Sequence, residues 1–367
     1  MDRQNHSRID ILMGRLFLSL IALTAVFMMC EWISRKLLDP RPPIERRFPV
    51  QHTRHPRPYS MFSGKPHAPD LNSLGYRGDV PPMPKSPGEC RIFFLGGSTV
   101  YRGDPAIPEM VQDMFQDHGF PNVRAYNFGV VSSVSGMELA RIVFEISDLA
   151  PDWIVMYNGG NDIHQPWDWD PRPGYPFNFI VYENNPILDK DLKTYPATAL
   201  LLYGSNIMRY LFPGYFIQKF VPLERARKES GYQSPEWREE IADIYVNNLV
   251  KADKIARAMD AQFAAFFQPL LYFKDSLHAE ERPYENREME KFARTVRESI
   301  LSRIDRLEGD PPLRFVDLSR IYSADTSYIF IDGIHTRQET MTVAALAIYQ
   351  ELSAAFMERT SNTTGGH

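Results

Sequence analysis

The feature that most constrains this chain is a repeated alternation of short apolar runs with helical stretches, several of the runs ending on glycine. RIFFL at 91–95 leads into Gly96-Gly97, VRAYNFG occupies 123–129, and DWIVMYNGG occupies 152–160. AQFAAFF at 261–267 and RFVDL at 314–318 follow later. Runs this short and this continuous read as strands buried on both faces, and glycines at their ends mark tight turns. Between them lie segments with helical spacing: 105–118, Met137 to Leu149, a helix opened by Ser234-Pro235-Glu236 and reaching Met259, 283–307 and 338–357. Proline at the first helical position fixes the start at 235. Five strands separated by helices predict an α/β fold, a three-layer α/β/α domain around a parallel sheet of about five strands. In such sheets ligands bind outside the carboxyl ends of the strands, where the strand order reverses.

Upstream of this pattern, Leu16 to Cys30 is fifteen residues without a charge, bracketed by Arg15 and Glu31 and extended by Ile11, Leu12 and Met13. A membrane span needs about 20 residues, reached if Arg15 snorkels and Trp32-Ile33 joins the interface. Residues 11–33 are therefore expected to form a transmembrane helix after a short segment 1–10. A cleaved signal peptide competes, but Met28-Met29-Cys30-Glu31-Trp32 stands where small residues are needed, and large methionines also argue against a lipoprotein site at Cys30. Arg3, Arg8 and Arg15 precede the run while Arg35, Lys36, Arg46 and Arg47 follow it, so charge does not decide orientation. Residues 34–88 are rich in proline and read as a tether or wrap leading to the domain. The domain is expected over 89–358, with an irregular aromatic insertion at 163–234 and a disordered tail at 359–367.

Several function classes are excluded early. The net charge is −5 and no long basic run occurs, so no nucleic-acid partner is expected. The two cysteines, Cys30 and Cys90, are poorly placed to pair. With no CxxC and no HExxH, neither a metal nor a cofactor is expected.

Three segments fall at the carboxyl ends of predicted strands or in the last loop. Gly96-Gly97-Ser98-Thr99 presents a serine at a helix start, where backbone N–H groups point outward. Its plainer reading is a turn with Ser98 as N-cap. Gly159-Gly160-Asn161-Asp162 places an amide beside a glycine turn, and the plainer reading is a turn held by local side-chain hydrogen bonds. In Asp332-Gly333-Ile334-His335 a spacing of three lets one loop carry carboxylate and imidazole, so that the aspartate fixes the tautomer that accepts a serine proton. The plainer reading there is an Asp-Gly turn with a surface histidine.

Taken in order, these segments resemble the SGNH hydrolase superfamily, the GDSL esterases and lipases, in its membrane-anchored bacterial form. The resemblance rests on Ser98 in FFLGGST, Gly129 in YNFGV, Asn161 in GGND and Asp332/His335 in DGIH, and covers about 91–357. Gly97 stands where the family name has aspartate, and Gly136 is close enough to compete with Gly129. The resemblance implies a flavodoxin-like SGNH fold and a serine esterase with catalytic Ser98, Asp332 and His335. It further implies an oxyanion hole of the Ser98 and Gly129 backbone N–H groups with the Asn161 side chain. It places the catalytic domain outside the cytoplasmic membrane.

The expected substrate is an ester, an O-acetyl or other O-acyl group on a cell-envelope glycan or a lipid. The alternatives are an O-acyltransferase of surface-glycan assembly using the same triad, and a silent scaffold with this fold. In the insertion, Trp167 and Trp169 suit stacking on sugar rings, though aromatics there equally suit packing. The apolar stretch 199–223 suits either a bilayer surface, an acyl groove or a packed lid. Asn72-Ser73-Leu74-Gly75-Tyr76-Arg77-Gly78 resembles a stretch of bacterial SGNH proteins with an N-terminal membrane segment, and Arg77 is expected to pair with a domain carboxylate and pin the tether.

Overall fold

A computed structural model describes residues 2–38, 54–183, 204–211, 222–309 and 312–364, in two compact units. Residues 39–53 of the proline-rich segment, 184–203 and 212–221 of the insertion, and 365–367 of the tail lie outside the described residues. The smaller unit contains the N-terminal helix Asp2–Leu37, whose part Ile11–Leu37 includes an 18-residue stretch of mean hydropathy 2.2 with no residue buried. It is long and apolar enough to cross a membrane, a property a signal sequence shares. Near its end Glu31 accepts from the Asn206 N–H (2.7 Å) and the Ser205 hydroxyl (2.9 Å), which docks the short helix Asn206–Leu211.

The larger unit is built on a five-stranded parallel sheet: β3 (Cys90–Gly96), β4 (Val123–Gly129), β5 (Trp153–Asn158), β6 (Gln262–Phe267) and β7 (Phe315–Asp317). A two-stranded hairpin, β1 (His55–Arg57) with β2 (Met61–Ser63), precedes it. The sheet order is β4-β3-β5-β6-β7 and every neighbouring pair is parallel, so the five parallel strands expected from the alternating pattern are present. Ile92 through Leu95 have no exposed surface, because helices cover both faces. Successive residues point to opposite cores. Phe93, Leu95, Ile154 and Met156 pack with helices Ser135–Arg141 (α3), Pro235–Ala258 (α5) and Arg287–Ile304 (α6). Ile92, Phe94 and Val155 pack with Ile107–Asp117 (α2) and Met341–Thr364 (α7). Two shorter helices follow the ends of β3 and β5, α1 (Ser98–Tyr101) and α4 (Gly160–Asp168). From β3 the chain goes first to β4 on one side and later to β5 on the other. The order therefore reverses at β3, and the general rule for open α/β sheets makes the crevice outside β3 and β5 the first place to look for a site.

Four local departures from the expected pattern have physical reasons. The helix expected over Met137–Leu149 is α-helical only to Arg141, then widens into a π turn at Ile142–Ile146. That turn carries Glu145 to the Arg57 guanidinium (3.0 Å) and the Tyr76 hydroxyl (2.6 Å). The insertion begins not as irregular chain but as α4, since the left-handed Gly159 (φ 95°) turns the chain into a helix that runs through Pro166. Residues 54–88 lie on the larger unit, with Phe62 and Tyr76 buried. The last helix extends to Thr364, beyond the expected 357, because nothing after Phe356 breaks its path until glycine.

Candidate active site

β3 ends at Gly96, and α1 starts at Ser98 with Gly97 as its N-cap. Ser98 is thus not the cap of its helix. Its side chain makes no capping bond and instead donates from Oγ to His335 Nε2 at 2.6 Å. As the first helical residue it has a backbone N–H with no intrahelical acceptor. Ser98 is 4% exposed.

His335 comes from the loop ahead of α7. Its Nδ1 lies 2.7 Å from Asp332 Oδ2, the arrangement in which Nδ1–H donates to the carboxylate and Nε2 is left to accept. The other Asp332 oxygen accepts the backbone N–H groups of Ile334 (2.8 Å) and His335 (2.7 Å). Burial pushes the Asp332 carboxyl up, but the His335 ring and these N–H groups outweigh burial and hold it at about 2. The carboxylate is therefore ionised throughout the range in which histidine titrates. The loop is held from behind by a buried ion pair, Lys274 Nζ to Glu281 Oε2 at 2.7 Å. Glu281 Oε1 accepts the N–H groups of Ile329 (2.9 Å) and Phe330 (2.8 Å), and Lys274 donates to the Ser327 carbonyl (2.8 Å).

Asn161 is the second residue of α4, 7% exposed, and its Nδ2 donates to the Ser133 carbonyl at 2.7 Å. An amide carries two N–H bonds, so one remains. The same nitrogen would lie 2.3 Å from a Cβ placed on Gly97. The amide therefore rests against the residue before Ser98, and only glycine leaves room for it.

Gly129 differs from expectation. Its N–H donates to Asn127 Oδ1 (3.0 Å), and Asn127 Nδ2 in turn donates to the Val100 carbonyl (2.9 Å). The N–H is thus committed to bracing α1 and is not presented to a substrate. A Cβ on Gly129 would lie 2.5 Å from Tyr101 N, so the glycine is required for close approach of β4 to α1.

The two tryptophans also part company. Trp167 stacks on Phe292 with ring centroids 4.7 Å apart and borders Tyr232, which makes it a packing residue. Trp169 is 42% exposed and lies edge-on to Phe177, whose face is covered by the Arg54 guanidinium at 4.1 Å. The stretch 199–223 falls mostly outside the described residues.

Behind Asn161 lies a buried polar layer that sequence reading missed. Asp162 accepts the backbone N–H and the hydroxyl of Ser135 (3.1 and 2.5 Å), and Arg141 donates to the Ser133 hydroxyl (2.8 Å). Asn158 donates to Glu138, and the Tyr245 hydroxyl donates to Asn158 (2.8 Å). Burial raises Asp162 to about 6 despite Ser135, and raises Glu138 to about 7 despite Arg141. Polar residues on helices look like surface in a sequence, and only the fold turns these inward.

No family model matches the chain, and no curated protein matches it at a significant level. Solved structures do. A GDSL-like lipase from Bacteroides thetaiotaomicron VPI-5482 is 14% identical with a TM-score of 0.40, covering 76% of this chain and 93% of its own. A lipase from a goat rumen metagenome is 13% identical with a TM-score of 0.41, covering 72% and 97%. An acetylxylan esterase from Geobacillus stearothermophilus is 13% identical with a TM-score of 0.38, covering 71% and 93%. The chemistry of the site is read from its own residues.

Proposed function

We propose that this protein is a serine esterase of the SGNH kind, working through an acyl-enzyme on Ser98. The observation that carries the reading is the continuous chain of hydrogen bonds from Ser98 Oγ through His335 to Asp332, 2.6 and 2.7 Å long. In this mechanism His335 Nε2 takes the Ser98 proton as Oγ attacks the ester carbonyl. The imidazolium formed is stabilised by the ionised Asp332 and then protonates the leaving alkoxide. The developing oxyanion is held by the Ser98 N–H at the start of α1 and by the second N–H of Asn161. Water, activated by the same histidine, then releases the acid.

The proposed substrate is an O-acyl group, acetyl in the simplest case, on a cell-envelope glycan. The exposed ring of Trp169 supports a sugar, because a half-exposed indole offers a stacking face. The N-terminal apolar helix is proposed as an anchor, with the esterase unit on the extracytoplasmic side. The triad would equally serve transfer to a sugar hydroxyl; the esterase reading predicts release of free acetate, and transfer to an added acceptor would favour the acyltransferase instead.

Ser98→Ala is expected to remove turnover of p-nitrophenyl acetate while leaving the melting temperature within a few degrees. Undiminished activity in that variant would end the nucleophile assignment.

A further inference from the structure

Asn72-Ser73-Leu74-Gly75-Tyr76-Arg77-Gly78 lies in the segment before the sheet and belongs to neither the triad nor the oxyanion candidates. Its shape is set by Asn72, whose Oδ1 accepts the N–H groups of Leu74 (2.9 Å) and Tyr76 (3.1 Å) and whose Nδ2 donates to the Gly78 carbonyl (3.1 Å). Gly75 has φ +87°, and a Cβ there would lie 2.2 Å from the Gly64 carbonyl oxygen, so the turn admits no side chain. The turn drives Tyr76 inward, where it stacks on Phe128 of β4 with centroids 4.1 Å apart. Tyr76 is thereby locked, and the next residue has little freedom.

That residue, Arg77, bridges through its backbone to Asn127 on the outer edge of β4. Its Nη1 donates to two carbonyls, Tyr101 at 2.8 Å and Gly103 at 2.6 Å. No domain carboxylate receives it in these bonds, contrary to the expectation from sequence. Both carbonyls stand at the end of α1, the four-residue helix that carries Ser98. A helix of one turn has too few internal bonds to fix its own orientation, and its terminal carbonyls need partners from outside. Asn127 supplies one for Val100, and Arg77 supplies those for Tyr101 and Gly103. A cation is also favoured at that end of the helix by its carbonyl dipoles.

We infer that Arg77 is a positioning residue for the nucleophile: by holding the end of α1 it fixes where Ser98 Oγ stands relative to His335. The inference rests on the acyl-enzyme reading above. It makes the segment before the sheet a working part of the site, although Arg77 touches no substrate.

The test uses the full chain with Arg77→Met and Arg77→Lys, p-nitrophenyl acetate turnover, and active sites counted by a fluorophosphonate. Met keeps the length and removes the donors. Lys offers three donors on one nitrogen, and one nitrogen is what serves both carbonyls. Arg77→Met should lower kcat per labelled site by about 10- to 100-fold with KM within about twofold, as misplacement of a reacting group does. Arg77→Lys should recover most of that loss. Unchanged kcat per labelled site in Arg77→Met would overturn the inference, and so would a Lys variant no better than Met. If Arg77→Met yields no folded protein, Arg77→Gln is read the same way, a fall in kcat at constant KM supporting the inference and an unchanged kcat overturning it. Wild-type protein that neither labels at Ser98 nor turns over the ester would sink the esterase reading itself. Wild-type protein that does both, beside fully active Arg77 variants, sinks only the role of Arg77.

Discussion

The two halves of the proposed triad meet at one 2.6 Å hydrogen bond but stand on different supports. Ser98 follows directly on β3, whose neighbours β4 and β5 are both in place, so its position is inherited from a saturated hydrogen-bond ladder and trimmed by Asn127 and Arg77. The Asp332–His335 loop follows β7, a three-residue edge strand, and between Asp317 and Gln338 no regular helix or strand frames it. There the Lys274–Glu281 pair, at 1% and 0% side-chain exposure, takes over the task of binding backbone groups. A sheet satisfies its own polar groups. A loop that leaves the sheet and is then buried needs an internal donor and acceptor, and a charged pair fills that role at the risk of failing when either member is removed.

Removing one charge from the loop side should have the largest effect. Glu281→Gln leaves the Lys274 cation buried without its carboxylate and replaces one of the two acceptor oxygens with an amide NH2, which must face either Lys274 and the His278 N–H or the Ile329 and Phe330 N–H groups. The expected loss is about 3–5 kcal/mol in urea unfolding. A loss under about 1 kcal/mol would show that the loop holds itself and would break the contrast. Replacing both members, Lys274→Met with Glu281→Leu, removes the unpaired charge but leaves the His278, Ile329 and Phe330 N–H groups and the Ser327 carbonyl without these partners, so it should also be destabilising by several kcal/mol, about 1–3 for each buried group left unpaired.

On the sheet side the damage should be kinetic. Asn161→Ala is expected to lower kcat on the order of 10²–10³-fold, the usual cost of one oxyanion donor. Its stability cost should be only about 1 kcal/mol, the value of the bond to Ser133. A large fall in melting temperature with normal kcat would mark Asn161 as a turn former instead. Gly97→Ala should act through the same amide, displacing it by steric contact and lowering kcat by about tenfold. An unchanged kcat would show that the amide has room to spare.

The smallest effect is on the pH dependence of stability, where the two kinds of buried carboxylate pull in opposite directions. Glu138 is raised from 4.5 to about 7, so its contribution is complete below about 4.5 and is lost as pH rises through 7. Asp332 is lowered from 3.8 to about 2, so its contribution is present above 3.8 and is lost as pH falls toward 2. Glu138→Gln should therefore flatten the decline of melting temperature between pH 5 and 8 while leaving acid unfolding unchanged. A parallel shift at every pH would remove the titration from the account.

The contrast also explains what could be read in advance. RIFFL and the glycines after it are legible because a strand buried on both faces is apolar at every position. The five strands and their order of appearance follow from that. DGIH is legible as a motif, but Lys274 and Glu281 are not. A lysine and a glutamate seven apart look like surface, and nothing in the sequence says that residues 50 positions later will bury them. Gly129 is legible only through the resemblance, as an oxyanion donor and with Gly136 competing, while its use, close packing against α1 with its N–H committed to Asn127, depends on a side chain two residues away. Trp167 and Trp169 are equivalent in sequence. Trp167 lies in the last turn of α4 and Trp169 just past its end in a non-helical conformation, and that separates the packed ring from the exposed one.

The central claim is that Ser98 is activated by His335 and Asp332. It is tested most directly by treating the full-length protein with a fluorophosphonate and mapping the adduct by mass spectrometry. One label per chain on the peptide bearing Ser98 is predicted, lost in His335→Ala and strongly slowed in Asp332→Asn. A wild-type protein that takes up no label, or one that labels equally well without His335, would contradict it.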